Sequence, residues 1–104
     1  MQESSKRIIE VIRAIPKGNV LSYGEVGRRA GFGNGARMVA RILHSSSEKH
    51  NLPWYRVINS QGKISLTGDA YELQRALLES EGIEFGPDDT IDLARYAYGP
   101  SVRF

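Results

Sequence analysis

Residues 22–43 constrain the fold most, because they hold two short helical patterns separated only by a glycine turn. Ser22-Tyr23-Gly24-Glu25 sets a hydroxyl three residues ahead of a carboxylate, the pairing that satisfies free amides at a helix start, and predicts a helix over residues 23–30. Gly31-Phe32-Gly33 supplies a left-handed turn to end it, and Asn34 a cap for another helix over roughly residues 35–43. Two helices joined so closely predict a helix-turn-helix.

The flanking segments complete a small fold. Over residues 6–15, Ile8, Ile9, Val11, Ile12 and Ile15 recur at spacings of three and four, which buries one face of a first helix; Pro16-Lys17-Gly18-Asn19 stops it. Residues 45–51 have neither periodicity nor bulk and read as a loop. Arg56-Val57-Ile58, Asn59-Ser60-Gln61-Gly62 and Lys63-Ile64-Ser65 predict a short hairpin or wing. A last helix is expected over residues 70–81, with Leu73, Leu77 and Leu78 facing inward and Gly82 just past its end. Tyr96, Tyr98 and Phe104 are placed to pack the tail, residues 83–104, back onto the core. The expected fold class is mainly α with a short β-hairpin, a winged-helix-like helix-turn-helix. A chain of 104 residues suffices for one compact core, so a single domain over residues 1–104 is expected.

Composition narrows the function. The chain has no cysteine, which removes disulfides, thiolate metal sites and sulfur nucleophiles. No apolar run approaches the roughly 20 residues of a membrane span, and the start shows no apolar signal core, so a soluble protein of the cytoplasm is expected. Residues 1–68 carry eleven Lys/Arg against four Asp/Glu, and residues 69–104 carry three against eight. A positive stretch beside an acidic remainder directs one face toward phosphate, or is an ordinary solvated surface.

The helix at 35–43 is the natural recognition element. Arg37 and Arg41 share a face, Val39, Ile42 and Leu43 pack inward, and the small Gly35, Ala36 and Ala40 permit close approach. The same pattern also suits an amphipathic helix with solvated arginines. Arg37, one turn in, is placed to insert a planar guanidinium into a base stack and hydrogen-bond to the partner of an extruded base. Pro53-Trp54-Tyr55-Arg56 sets the only tryptophan among polar residues after a loop, as a ligand wall or a core plug. An indole offers a stacking face and an N–H donor but no nucleophile, and a phenol such as that of Tyr55, with a pKa of about 10 in model compounds, is a poor general base. His44 and His50 lack a metal-ligand pattern and read as surface or capping groups. Asp88, Asp89 and Asp92 read as a solvated acidic segment. No metal or cofactor is expected.

Together, Pro16-Lys17-Gly18, Ser22-Tyr23-Gly24-Glu25, the Gly-Asn-x-x-Arg run ending at Arg37, Pro53-x-x-Arg56-Val57 and Glu81-Gly82 resemble the DNA-binding domain of O6-alkylguanine-DNA alkyltransferases over roughly residues 5–85. In those enzymes the central segment reads Pro-Cys-His-Arg, and its cysteine accepts the alkyl group. Here Trp54 and Tyr55 stand in those places, so the chain resembles the alkyltransferase-like branch, which has tryptophan there. The resemblance implies that Tyr23 helps rotate the phosphate and contacts the flipped base, that Arg37 fills the vacated stack and that Trp54 lines the lesion pocket. It implies minor-groove docking of the 35–43 helix, a close fit for Ala36 and Ala40, and a loop-holding role for Arg56. Arg41, Tyr55 and Val57 complete the expected DNA- and lesion-binding set. Glu81 corresponds to the glutamate of the enzymes' relay, which cannot operate as such without a histidine at position 55. The chain departs from the family pattern at Tyr55, at Ser46, where the enzymes carry a structural asparagine, and in Ser65-Leu66-Thr67-Gly68, which lacks the basic residue associated with alkyl contact in some members.

The resemblance thus implies a non-enzymatic sensor that binds double-stranded DNA containing O6-alkylguanine by base flipping, does not transfer the alkyl group, and flags the lesion for nucleotide-excision-repair proteins. A monomer is expected, on the nucleoid if the source is bacterial. The alternative is a small helix-turn-helix transcription regulator that reads sequence with Arg37 and Arg41 and prefers an operator over a lesion.

Overall fold

The computed structural model describes residues 3–33 and 35–99. Its first helix, α1 (Glu3–Arg13), turns Ile8, Ile9 and Ile12 into the core. A short strand, β1 (Leu21–Ser22), runs directly into α2 (Tyr23–Arg29). As the sequence predicts, the Ser22 hydroxyl accepts the Glu25 amide at 3.1 Å. Gly31 adopts φ +90° just past the end of α2, where its amide donates to the Arg28 carbonyl and that of Phe32 to the Gly27 carbonyl. This is the paired bonding that closes a helix through a left-handed glycine. The expected cap at Asn34 lies outside the described residues.

The next helix, α3 (Ala36–Ser46), continues three residues beyond its expected end. Ser45 satisfies its hydroxyl on the Ile42 carbonyl at 3.4 Å, which lets a residue with weak helix preference continue the helix. The entry of α3 lies directly against α2: a Cβ on Gly27 would sit 3.0 Å from the Gly35 Cα. The two helices of the motif therefore approach so closely that a side chain at Gly27 would push against the Gly35 backbone.

A 3-10 turn at Trp54–Arg56 leads into β2 (Val57–Ile58). The mainly helical class and the short sheet stand as expected, but the strands do not form the expected hairpin. β2 pairs in parallel with β1, Leu21 opposite Val57 and Ser22 opposite Ile58. The chain does reverse at residues 59–63, where the Asn59 amide donates to the Lys63 carbonyl and the Asn59 carboxamide accepts the Gln61 and Lys63 amides. The outgoing residues form no ladder with β2. Both Val57 and Ile58 are fully buried, and strands covered on both faces suit parallel pairing under helices better than an exposed wing.

Successive strand residues point to opposite sides of the sheet, and here they divide the core. Leu21 and Val57 pack with Ile8, Ile12, Val26, Val39 and Leu43, whereas Val20 and Ile58 pack with Ile64, Leu78, Ile83, Ile91 and Tyr96. The second cluster lies under α4 (Gly68–Ser80) and the tail. Leu78 faces inward as expected and Leu77 partly so, but Leu73 is 53% exposed, and Gln74 is buried in its place. The Gln74 amide donates to the carbonyls of Tyr55 and Val57, each at 3.1 Å. Satisfying those two buried carbonyls decides the face of α4, since leaving them without donors costs more than exposing one leucine.

The tail packs back through a short helix, α5 (Leu93–Tyr96). Val20 donates to the Tyr96 carbonyl and accepts the Tyr98 amide, while the buried Tyr96 hydroxyl accepts the Glu84 amide. Phe104 lies outside the described residues. The acidic segment is consumed locally: Asp92 caps α5, Asp89 pairs with Arg75 at 2.6 Å and Glu84 with Arg95 at 2.8 Å.

Exchanging the two neighbouring residues of α4 tests this packing. Gln74→Leu should lower unfolding free energy in urea by about 1–3 kcal/mol, because two buried carbonyls lose their donor, whereas Leu73→Gln should stay within about 0.5 kcal/mol of the parent.

Candidate nucleic-acid interface

The helix-turn-helix presents one continuous polar row. On α3, Arg37, Ala40, Arg41 and His44 are exposed while Val39, Ile42 and Leu43 face the core, as the spacing of three and four requires. Neither Arg37 nor Arg41 is paired with a carboxylate among the described residues. The arginines of α2 are held differently. Buried Glu25 accepts Arg28 at 2.9 Å and Arg29 at 3.1 Å, which fixes the end of α2.

Next to this row lies a cavity of about 440 Å³. Tyr23, the first residue of α2, forms one side, and the α3 stripe Ala40, Leu43 and His44, extended by Ser47, forms another. Trp54 and the Ser65–Leu66 loop close it. No carboxylate is among the described residues that line it. An apolar cavity with a few hydroxyls, an imidazole and an indole suits a flat heteroaromatic ligand, which gains from stacking and from a small number of directed hydrogen bonds.

The structure sorts the expected site residues by their place relative to the cavity. Tyr23, Ala40 and Trp54 converge on the cavity, and Arg37 and Arg41 lie beside it on the exposed face, with Ala36 in the first turn of the same helix. Tyr55 and Arg56 point away, toward Glu81. Val57, expected among the lesion-contacting residues, is fully buried, so its side chain supports the cavity from the core. Leu43, His44, Ser47, Ser65 and Leu66 also line the cavity and are not among the expected site residues: Leu43 is expected in the core, His44 at the surface or as a cap, and the Ser65–Leu66 loop only as a place that lacks the family's basic residue. For His44 and Ser47 the signal was present: they continue the spacing of Ala40 by four and seven residues. Ser65 and Leu66 arrive from a distant loop with no periodicity to mark them.

Behind the cavity the Trp54 turn is anchored by a buried cluster. The Arg56 guanidinium donates to both Glu81 carboxylate oxygens, at 3.0 and 2.6 Å, and to the Ile15 carbonyl at 2.8 Å. The Tyr55 hydroxyl donates to Glu81 at 2.9 Å, and the Gly18 amide donates to it at 3.1 Å. The side chains of Arg56 and Glu81 are only 15% and 7% exposed. Burial pushes the Glu81 carboxyl upward, but the Arg56, Gly18 and Tyr55 donors outweigh it and hold the group below its ordinary value. Burial, and then the neighbouring carboxylate, push the Tyr55 phenol upward. Tyr55 is therefore a fixed neutral donor with no basic lone pair to offer, and its ring meets Trp54 edge-on at 5.8 Å.

Removing one partner of this cluster strands the other, so Arg56→Ala should cost about 3 kcal/mol of unfolding free energy. Glu81 titrates below its unfolded value, so its contribution is present above about pH 4.5 and is lost as pH falls through the lower, folded value. Between pH 6 and pH 3, Glu81→Gln should therefore lose less stability than the parent chain, read by chemical denaturation at each pH.

Residues 3–83 match the family model described as the DNA binding domain of 6-O-methylguanine DNA methyltransferase. Among curated relatives, a DNA base-flipping protein of Vibrio parahaemolyticus is 45% identical over 100 residues, covering 96% of this chain and all of the relative. Alkyltransferase-like protein 1 of Schizosaccharomyces pombe is 35% identical over 86 residues, covering 81% of this chain and 80% of the relative. Among solved structures, S. pombe Atl1 in complex with damaged DNA containing O6-carboxymethylguanine superposes with a TM-score of 0.83 at 31% identity, covering 96% of this chain and 98% of that one. With its helix-turn-helix, cavity and anchored Trp54 turn in place, and with that match over residues 3–83, the chain belongs to the 6-O-methylguanine DNA methyltransferase family by its DNA-binding domain.

Proposed function

We propose that this protein detects O6-alkylguanine in duplex DNA by turning the base out of the helix and retaining it against Trp54, without accepting the alkyl group. The observation that carries this reading is the cavity itself. It joins Tyr23, the exposed face of α3 and Trp54, with Arg37 one turn earlier on the same exposed face. A chain without cysteine has no thiolate to take an alkyl group, and Trp54 occupies the place of the enzymes' acceptor. The relatives are described as base-flipping and alkyltransferase-like proteins, and one is seen on a damaged duplex, which supports the same function here.

In this reading Arg37 and Arg41 meet the backbone and base stack, Arg37 entering the gap left by the extruded base. The small Ala36 and Ala40 let α3 lie close to the minor groove. Tyr23, at the start of α2, contacts the rotated nucleotide, and Trp54 stacks on it. Damaged and mispaired bases cost less to extrude, which adds selectivity before the cavity is reached. A binder that performs no chemistry requires a downstream enzyme, and nucleotide-excision-repair proteins are the readers this proposal names. The protein would act as a monomer in the cytoplasm, on chromosomal DNA.

The central experiment titrates one duplex with and without a single O6-methylguanine, following Trp54 fluorescence and the mass of the recovered protein. Tighter binding of the modified duplex with unchanged protein mass is expected. Equal affinities would remove lesion recognition, and preference for one sequence regardless of damage would favour a transcription regulator. Arg37→Ala and Tyr23→Ala should each weaken lesion binding by about tenfold or more. Trp54→Cys should show no alkyl transfer by mass spectrometry, because Tyr55, held as a neutral donor to Glu81, cannot take a proton from the thiol.

A further inference from the structure

Trp54 is not only a wall of the cavity described above. It also lines a second cleft, of about 470 Å³. The two share Ser47 and Trp54, and the second is completed by Glu48, Asn51, Leu52 and Tyr55. Their chemistry is opposite. The first has the His44 imidazole and no carboxylate among the described residues that line it; the second has the Glu48 carboxylate and two aromatic rings, and no basic side chain among those that line it. The Glu48 carboxylate forms no ion pair among the described residues.

The cleft is also held in shape. The Leu52 amide donates to the Ser47 carbonyl at 2.8 Å and the Asn51 amide to the Glu48 carbonyl at 3.2 Å, closing residues 47–52 into a tight turn in which Asn51 takes φ +51°. Tyr55 is fixed by Glu81 and holds its ring edge-on to Trp54. The Arg56 guanidinium already lies over one face of the Tyr55 ring, 5.3 Å from its centroid, so an organic cation in the cleft is attracted by the Glu48 charge and by the ring surface that Trp54 and Tyr55 leave open.

We propose that this cleft is a second subsite for the adduct, which takes the far end of an O6-alkyl arm that passes the edge of Trp54, and that it favours arms ending in a positive charge. The proposal rests on the lesion-binding reading above. Guanine and the first carbons of its arm occupy the Trp54 cavity, and a cationic terminus meets Glu48 and the rings of Trp54 and Tyr55. Trp54 then divides the recognition of the base from the recognition of what is attached to it.

Three duplexes test this, carrying O6-methylguanine, O6-pentylguanine or O6-(4-aminobutyl)guanine, the last two matched in length and differing in terminal charge. The parent chain should bind the aminobutyl duplex about three- to tenfold more tightly than the pentyl duplex, the range expected of an exposed ion pair supported by aromatic surface. Glu48→Gln should bring that ratio close to one and Glu48→Lys should reverse it, both leaving the preference for O6-methylguanine over undamaged DNA as in the parent chain. Glu72→Gln, which removes an exposed carboxylate from α4, should leave the ratio unchanged. An equal ratio in the parent chain, or a ratio that survives Glu48→Gln, overturns the subsite. If O6-methylguanine itself gains nothing over undamaged DNA, it is the lesion-binding reading that fails.

Discussion

The carboxylate of Glu81 gathers three parts of the chain that are far apart in sequence. It receives the Gly18 amide from the loop after α1 and the Arg56 guanidinium and Tyr55 hydroxyl from the turn that carries Trp54, while its own residue closes α4 through a backbone amide donated to the Leu78 carbonyl. Arg56 then reaches the Ile15 carbonyl. Replacing a buried ion pair by apolar side chains is often neutral or stabilising, so the pair is not explained by stability alone. Its effect here is geometric. Every donor around Glu81 has a defined direction, so the Trp54–Arg56 turn has one placement, and with it the wall of the cavity. Gln74 completes the anchoring by holding the carbonyls of Tyr55 and Val57, at the cost of turning Leu73 toward solvent.

This arrangement separates holding a base from reacting with it. In the resembled enzymes a cysteine stands between the proline and the histidine of the same turn; here the turn keeps its anchors and presents an indole. Tyr55 donates to Glu81 where a proton relay would need an acceptor, so the polar machinery behind the cavity is entirely structural. The recognition face remains intact in front of it. The exposed Arg37 and Arg41 keep charge available for phosphate, while part of the acidic half of the chain is engaged locally, through Arg75 with Asp89, Arg95 with Glu84, and Asp92 at the start of α5.

What the sequence by itself determined is local or covalent. The Ser22 cap, the Gly31 turn and the α3 stripe follow from backbone chemistry that acts within four residues, and the lack of a thiol is fixed by composition. The ordered motifs from Pro16 to Gly82 also identified the family and the two helices that carry it. Tertiary structure decided the rest, because it depends on partners whose separation in sequence carries no periodic signal. Val57 and Ile58 could have paired with the residues just after the turn; burial of both strand faces made Leu21 and Ser22 their partners. Leu73 fitted the apolar stripe of α4, and only the orphaned carbonyls of a distant turn made Gln74 the inward residue. Trp54 was legible as a lost nucleophile, but its place in the walls of two cavities, one apolar and one carrying a carboxylate, required Ser47, Glu48, Ser65 and Leu66 to be folded around it. Hydrogen-bond satisfaction and close packing are properties of the assembled core, and no window of sequence contains them.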